Sequence, residues 1–403
     1  MTEQGRIVIA GAGPVGAVTA LAAARRGYAV TLLEAAAEID TSPRAATFHP
    51  STIEMLASLG IVKPFIAAGL TARYFDFWDK PALSLTARMD HENLRDDTDY
   101  PFVVQTEQHK LVRIILDELA RYPDVDIRMG WQVDGVEQDD SSVTVSCVGP
   151  DSTDKVHGRW LVGADGGRSF VRKSQGIEFE GFTWAERFLV LTSLHDFDAS
   201  LGCSYRSYFA DPGGWANLFK VAGDDFQGRW RAVFAAEAGE SDEEALGDAS
   251  AERRLKPLTD GAPLQIVHRN LYKVHQRVAK SFRYGRIFLA GDAAHVNNPI
   301  GGLGLNCGIH DATELINTLH GVDTGAAPPE RLDRYERRRR TLNIEFVQQQ
   351  TVDNKKRLEE KDPALRRKRL QELEQIAEDP RTQREFLLRT SLLASVARSQ
   401  SIQ

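Results

Sequence analysis

Residues 6–34 read RIVIAGAGPVGAVTALAAARRGYAVTLLE, and this stretch decides the fold. Residues 6–10 are a short β-branched run that predicts a buried strand. Gly11-Ala12-Gly13-Pro14-Val15-Gly16 follows, then the helix-forming residues 17–26, then a second apolar run that ends on Glu34. Strand, glycine turn, helix, strand and acid within about thirty residues is the dinucleotide-binding pattern. Gly11 permits the tight turn, Gly13 lets the backbone approach a pyrophosphate, and Gly16 lets helix and strand pack closely. The free N–H groups of the helix start can hold phosphate oxygens. Glu34 can accept hydrogen bonds from a ribose diol, and its charge disfavours a 2′-phosphate there. Candidate cofactor contacts are therefore Gly11, Gly13, Pro14, Val15, Gly16, Glu34 and its neighbour Ala35.

The remaining bounds are broad. A chain of 403 residues can bury a large core in two or three lobes. Its 42% hydrophobic and 27% charged content is that of a globular protein, and a net charge of -7 argues against a nucleic-acid partner. No apolar run approaches the about eighteen residues of a membrane span. With no charged-then-apolar leader, a cytoplasmic location is expected. Cys147, Cys203 and Cys307 form no CxxC and the ten histidines no HExxH, so no disulfide frame and no metal are expected.

Further along, a polar loop at 41–51 carries Arg44, and residues 50–59 predict a helix. Residues 73–88 alternate aromatic and polar residues, as strands leaving the first lobe would. An amphipathic helix is expected over 107–122 and a meander of three strands over 125–148. From 187 to about 278 the pattern becomes alternating strands (187–194, 204–210, 215–221, 229–235 and 265–274), interrupted by one helix at about 242–256. That predicts a mostly antiparallel sheet forming a second lobe. Residues 286–290 return to the first style, and the glycine-rich residues 300–306 open a helix to about 319. After a proline linker at 326–329 the chain is charged and helical. Its arginine run at 337–340 reads as a solvated helix face with ordinary ion pairs.

Two later turns share the character of the first. Gly163-Ala164-Asp165-Gly166 follows a strand and precedes Arg168, Ser169 and Arg172; Gly291-Asp292 follows another strand and precedes a glycine-rich helix start. With these three motifs in this order, residues 6–345 resemble the FAD-dependent aromatic hydroxylases of the para-hydroxybenzoate hydroxylase type. The resemblance implies an α/β fold: a Rossmann-like FAD-binding domain (1–72, 99–183 and 280–325), an inserted mixed or antiparallel β-sheet substrate domain (73–98 and 184–279), and a C-terminal helical region (326–403). It implies FAD as cofactor, with Glu34 on the adenosine ribose, Arg44 and Gln105 near the pyrophosphate and ribityl region, Asp165 and Arg168 serving FAD and the nicotinamide co-substrate, and Asp292 on the ribityl hydroxyls. Residues 299–306 would lie along the flavin ring, contributing Pro299, Gly302, Gly304, Leu305 and Asn306. Asn298 stands where the family often has a second proline, and Leu303 and Leu305 stand where it often has Gln and Met; these departures concern the pocket lining. The implied reaction is hydroxylation of a small phenol or hydroxypyridine through a flavin C4a-hydroperoxide, consuming O₂ and NADH or NADPH. Epoxidation or hydroxylation of a non-aromatic natural product and a flavin-binding sensor without turnover are the alternatives. A homodimer is the assembly held open.

The second-lobe strands supply the substrate candidates. Ser204, Arg206 and Tyr208 share one face of their strand, Tyr205, Ser207 and Phe209 the other, and alternation leaves open which face is inward. Trp215, Asn217 and Phe219 share a face of the next strand; Arg231 and Val233 share one after that. Arg206, Tyr208, Asn217 and Arg231 are expected as polar lining, with Trp215 and Phe219 as walls. His49 and His295 are expected near the flavin as structural hydrogen-bonding residues.

Overall fold

The structure, a computed structural model, describes residues 5–403 except 238, 260 and 263. Two sheets organise it. The first has six strands, in the order Arg283–Tyr284, Ile287–Leu289, Trp160–Gly163, Arg6–Ala10, Ala29–Glu34 and Val125–Met129. All neighbours pair in parallel except the outermost hairpin at residues 283–289. The central strands are fully buried β-branched and leucine runs, as a sheet covered on both faces requires. Helix Pro14–Ala24 packs against it, and helices Gln108–Leu119 and Leu303–Asp323 pack against that helix.

The second sheet has eight strands: His295–Val296, Ile266–Ala279, Phe179–Ser193, Arg229–Ala235, Ala216–Val221, Arg206–Ala210, Tyr74–Asp79 and Ser84–Asp90. Every pairing is antiparallel but one, Arg206–Ala210 beside Tyr74–Asp79. Its two faces bury different cores. One holds Phe75, Phe77, Phe188, Tyr208, Trp215 and Val233 together with Ile300 and the C-terminal Leu358, Leu373 and Leu387. The other holds Trp78, Leu191, Phe209, Leu218 and Trp230 under Ala251 and Leu255.

Three expectations need correction. The meander over 125–148 loses its first strand: Val125–Met129 follows a helix and joins Ala29–Glu34 in parallel, and the third meander strand is instead Thr153–Gly158. Gly130, at φ +75°, turns the chain between the two sheets. The helix expected over 242–256 is two, Asp242–Leu246 and Asp248–Leu255, because Gly247 is extended (φ −71°, ψ 162°) and serves as C-cap of one and N-cap of the other. The arginine run is no uniform solvated face. Arg338 and Arg339 are buried, Arg339 against Asp311 at 2.7 Å and Arg338 against Glu314 at 2.7 Å. No helix among the described residues is long and apolar enough to cross a membrane.

Candidate active site

Because Ile287–Leu289, Trp160–Gly163 and Arg6–Ala10 are adjacent parallel strands, the turns that follow them lie together at the carboxyl edge of one sheet. The turns touch. Ala164 N–H donates to Ala10 O (2.8 Å) and Ala290 N–H to Gly163 O (3.0 Å). A Cβ placed on Gly11 would lie 2.4 Å from Ala164 O; one on Gly291 would lie 2.8 Å from a Val15 methyl; one on Gly308 would lie 2.6 Å from the same methyl and 3.0 Å from Gly291 Cα. Contact this close leaves no room for a side chain at these positions. Around Gly13 and Gly166, by contrast, nothing stands within 4 Å of such a Cβ, so both backbones open onto a cleft. Pro14 is the first residue of a helix whose N-terminal amides face that opening.

The acids and polar groups of the three motifs divide between holding the turns and facing the cleft. Glu34 accepts Ala12 N–H (2.7 Å) and Ala36 N–H (2.9 Å), one on each oxygen, which leaves each oxygen a lone pair for a ribose; Ala35 is exposed beside it. Asp165 accepts Ser169 Oγ–H (2.5 Å) and Val171 N–H (3.0 Å), so it holds both the N-cap Ser169 and a first-turn amide of the short helix Phe170–Ser174, while Arg168 is exposed. Arg172 is buried: it donates to Ala293 O (2.8 Å) and Gly167 O (3.0 Å) and ties the second turn to the third. The Asp292 side chain reaches solvent, yet burial raises its pKa, opposed by the charges of His295 and Arg44. Arg44 is exposed and paired with Asp40 at 2.8 Å. Gln105 is fully buried with Oε1 bound to Thr47 Oγ (2.8 Å) and Nε2 without a partner. An open backbone at two glycines, a helix N-terminus, an acid with free lone pairs and an orphaned buried amide donor fit the phosphate, ribose and ribityl parts of FAD.

Residues 299–306 follow at the edge of the second sheet. Pro299 is half-buried, Leu305 is buried, and Gly301 and Gly302 take positive φ (+117° and +66°). A Cβ on Gly304 would lie 2.9 Å from Asn297 Oδ1. Asn306 is turned inward: its amide donates to Thr47 O (2.8 Å) and Gly302 O (2.5 Å) and its oxygen accepts His49 N–H (2.8 Å). Two side chains converge on Gly301 O, His49 Nε2 at 2.9 Å and Arg206 Nη2 at 3.2 Å. Burial holds the His49 pKa well below the usual imidazole value, with the Arg206 charge adding to the effect, so His49 is neutral.

Register resolves the face that alternation left open. Arg206 pairs with Phe219, Tyr208 with Asn217, Phe219 with Arg231 and Asn217 with Val233, so these side chains share one face. It is the face that meets Ile300 and the C-terminal helices. Arg206 is 2% exposed, lies 3.8 Å from the Phe75 ring centroid, and has Nε and Nη1 without partners. The Tyr208 hydroxyl, Asn217 Oδ1 and Arg231 Nε are likewise buried and unpartnered, although Arg231 Nη1 donates to Arg44 O (2.8 Å). Trp215 is buried in the same core and donates to Glu359 (2.8 Å). Buried polar atoms are nearly always paired within a protein, so this grouping points to a polar ligand.

A family model described as an FAD binding domain matches residues 5–350. The chain belongs to the FAD-dependent aromatic hydroxylases. It is 36% identical over 390 residues to para-nitrophenol 4-monooxygenase of Pseudomonas sp. (strain WBC-3), covering 95% of this chain and 94% of that one. It is 34% identical over 365 residues to 6-hydroxy-3-succinoylpyridine 3-monooxygenase HspB of Pseudomonas putida (strain DSM 28022 / S16), covering 90% and 91%. The crystal structure of p-nitrophenol 4-monooxygenase PnpA from Pseudomonas putida DLL-E4 superposes with a TM-score of 0.88 at 33% identity, covering 95% of this chain and 96% of that one. This hydroxylase is thus a flavoprotein monooxygenase with FAD as its cofactor.

Several residues beside the hydroxylase's three glycine turns were not singled out from sequence. Asp311 lies on the long helix among mixed small, apolar and polar neighbours, and no spacing signal marks it. Arg339 lay hidden in a basic run. Together with His295 and Cys307 they form a buried group; the ligand-type atoms of His295, Cys307 and Asp311 lie within 4.8 Å of one another, and the Arg339 guanidinium bonds both Asp311 and the Cys307 sulfur. All three cysteines are free and buried.

Proposed function

We propose that this enzyme hydroxylates a small phenol or hydroxypyridine, using O₂ and NADH or NADPH. The observation that carries the reading is Arg206, a buried guanidinium with two unpaired nitrogens on an aromatic-walled face, beside the Gly301 segment. A buried cation without a carboxylate partner is costly, and a phenolic or pyridinol oxygen supplies the missing acceptor. FAD, when bound, supplies the activated oxygen. The chain's own residues do the rest. Arg206 holds the ring oxygen, while Tyr208, Asn217 and Arg231 offer the further hydrogen bonds that fix ring orientation. Phe75, Phe77, Phe219 and Trp215 form apolar walls, and Pro299, Leu303 and Leu305 exclude water from the flavin edge. In this reading the cofactor contacts are Gly11, Gly13, Pro14, Val15, Gly16, Glu34, Ala35, Arg44, Gln105, Asp165, Arg168, Asp292, Gly302, Gly304, Leu305 and Asn306, and the two sheets mark the cofactor and substrate domains. The relatives named for p-nitrophenol and for a hydroxypyridine support this substrate class.

The test is a panel of phenols and hydroxypyridines given to the purified flavoprotein, following NADH and NADPH oxidation together with peroxide release. A substrate accelerates oxidation with little peroxide. If no ring compound accelerates oxidation, the reading fails.

A further inference from the structure

We propose that Asp311 is a positioning residue for the turn that carries Asp292, and that Arg339 from the C-terminal helices completes the device. The inference rests on the reading that this turn lies on the ribityl chain of FAD. Gly291 N–H is the first amide of the turn, and Gly291 holds φ +60° with no room for a side chain against Val15. Asp311 Oδ2 accepts that N–H at 3.0 Å and also takes His295 Nε2 at 2.7 Å; Asp311 Oδ1 accepts Arg339 Nε at 2.7 Å. One fully buried carboxylate thus receives three donors, from the turn, from the strand after the turn and from the helix Arg331–Leu342.

Arg339 is itself held. Its Nη2 donates to Cys307 O and lies 3.2 Å from Cys307 Sγ, and Asn343 Nδ2 is 3.6 Å from the same sulfur. The same helix supports the strand before the turn and the segment paired with it: Tyr335 donates to Leu289 O (2.7 Å), and Glu336 accepts the N–H of Phe282 (2.8 Å), whose carbonyl accepts Leu289 N–H (2.9 Å). The charges also matter. Burial alone would lower the His295 pKa, but Asp311 and Cys307 push it up to about 10. Behind the turn the cations His295 and Arg339 flank Asp311, and Asp292 lies on the turn itself, so Arg339 offsets these carboxylates and its loss disfavours an anionic, reduced flavin. A carboxylate relay that only packed the core would not need to end on the backbone of the cofactor turn.

The experiment compares Asp311→Asn, Arg339→Gln, Arg339→Lys and Asp292→Ala in the full chain. It reads FAD dissociation constants, unfolding midpoints with and without FAD, and the flavin midpoint potential. We expect Asp311→Asn and Arg339→Gln to weaken FAD binding about 10–100-fold, the loss of one charge-assisted hydrogen bond. The FAD-induced rise in midpoint should shrink, and Arg339→Gln should move the flavin potential to more negative values. Arg339→Lys should restore part of the affinity, because an ammonium can hold Asp311 but cannot fork to Cys307. The Arg339 pair carries the test if Asp311→Asn fails to fold. Parental FAD affinity and potential in folded Asp311→Asn and Arg339→Gln would overturn the inference, as would equal drops of the apo and FAD-loaded midpoints with FAD affinity unchanged. Full FAD retention by Asp292→Ala would remove the underlying reading instead; loss in Asp292→Ala alone would leave that reading and remove this one.

Discussion

At the scale of single residues, Arg206 makes the sharpest prediction. Removing a buried charged hydrogen-bond donor costs about 1.5–3 kcal/mol, so Arg206→Gln should raise KM for the aromatic substrate roughly 10–100-fold while FAD binding stays intact; steady-state kinetics beside a flavin titration checks it. Tyr208→Phe removes only an unpartnered hydroxyl. It should keep the flavin and the reductase rate but raise peroxide released per NAD(P)H consumed. Alternation placed Arg206, Tyr208, Asn217 and Arg231 on common faces without saying which face mattered. The deciding fact is what covers the opposite side, Ala251 and Leu255 from a helix that no strand pattern encodes. The roles of Asp311 and Arg339 were illegible for a related reason: each is an ordinary charged residue until the fold brings a partner from about 30 positions away.

At the scale of elements, the first and third glycine turns are set by contact between helices and strands. Gly308 lies where the long helix crosses both Val15 and Gly291. Gly308→Val should therefore push the helix off the turn, costing about 1–3 kcal/mol of stability by overpacking and releasing FAD; calorimetry of apo and loaded protein would show both. The helix bearing Arg339 runs into a π-helical turn, Asn343–Gln348, of the kind found at functional sites. That turn aims Asn343 at Cys307 and lets Gln348 Nε2 reach Val296 O at 3.3 Å. His295, facing Asp311 and Cys307 from the long helix, Arg339 from its neighbour and Asp292 from its own turn, gives a pH dependence of known sign. Its folded pKa, about 10, lies above the ordinary value of 6.5. Its contribution is therefore complete below about pH 6.5 and fades as pH rises through about 10. Unfolding midpoints should fall across that window in the parent, and His295→Gln should flatten the fall. Strand-turn-helix periodicity announced these elements clearly. It failed at Val125–Met129, where a half-buried strand has the same pattern in a meander as at the edge of a parallel sheet.

At the scale of the whole molecule, the C-terminal helices cover one face of the eight-stranded sheet. Leu358, Leu373 and Leu387 share a core with Phe75, Tyr208 and Trp215, and surface pairs such as Arg384 with Asp97 and Arg366 with Asp79 fasten the rim. Leu387→Ala should cost about 2–5 kcal/mol and, by loosening that wall, raise peroxide release; thermal unfolding and a peroxide assay read the two effects separately. The composition of this segment said only that it was helical and charged. Its apolar residues are too sparse for a pattern to show which surface they cover. The order of pairing in the six-stranded sheet has a consequence for biogenesis. Ile7 finds its neighbour Trp160 about 150 positions later, and Trp160–Gly163 in turn awaits Ile287–Leu289. At about 5–20 residues per second of synthesis, the nascent amino-terminal strand spends roughly 10–30 s with one edge unpaired. The turns after these three strands cannot come together before residues 287–289 have been made, so the early strand depends on protection of that edge while synthesis continues.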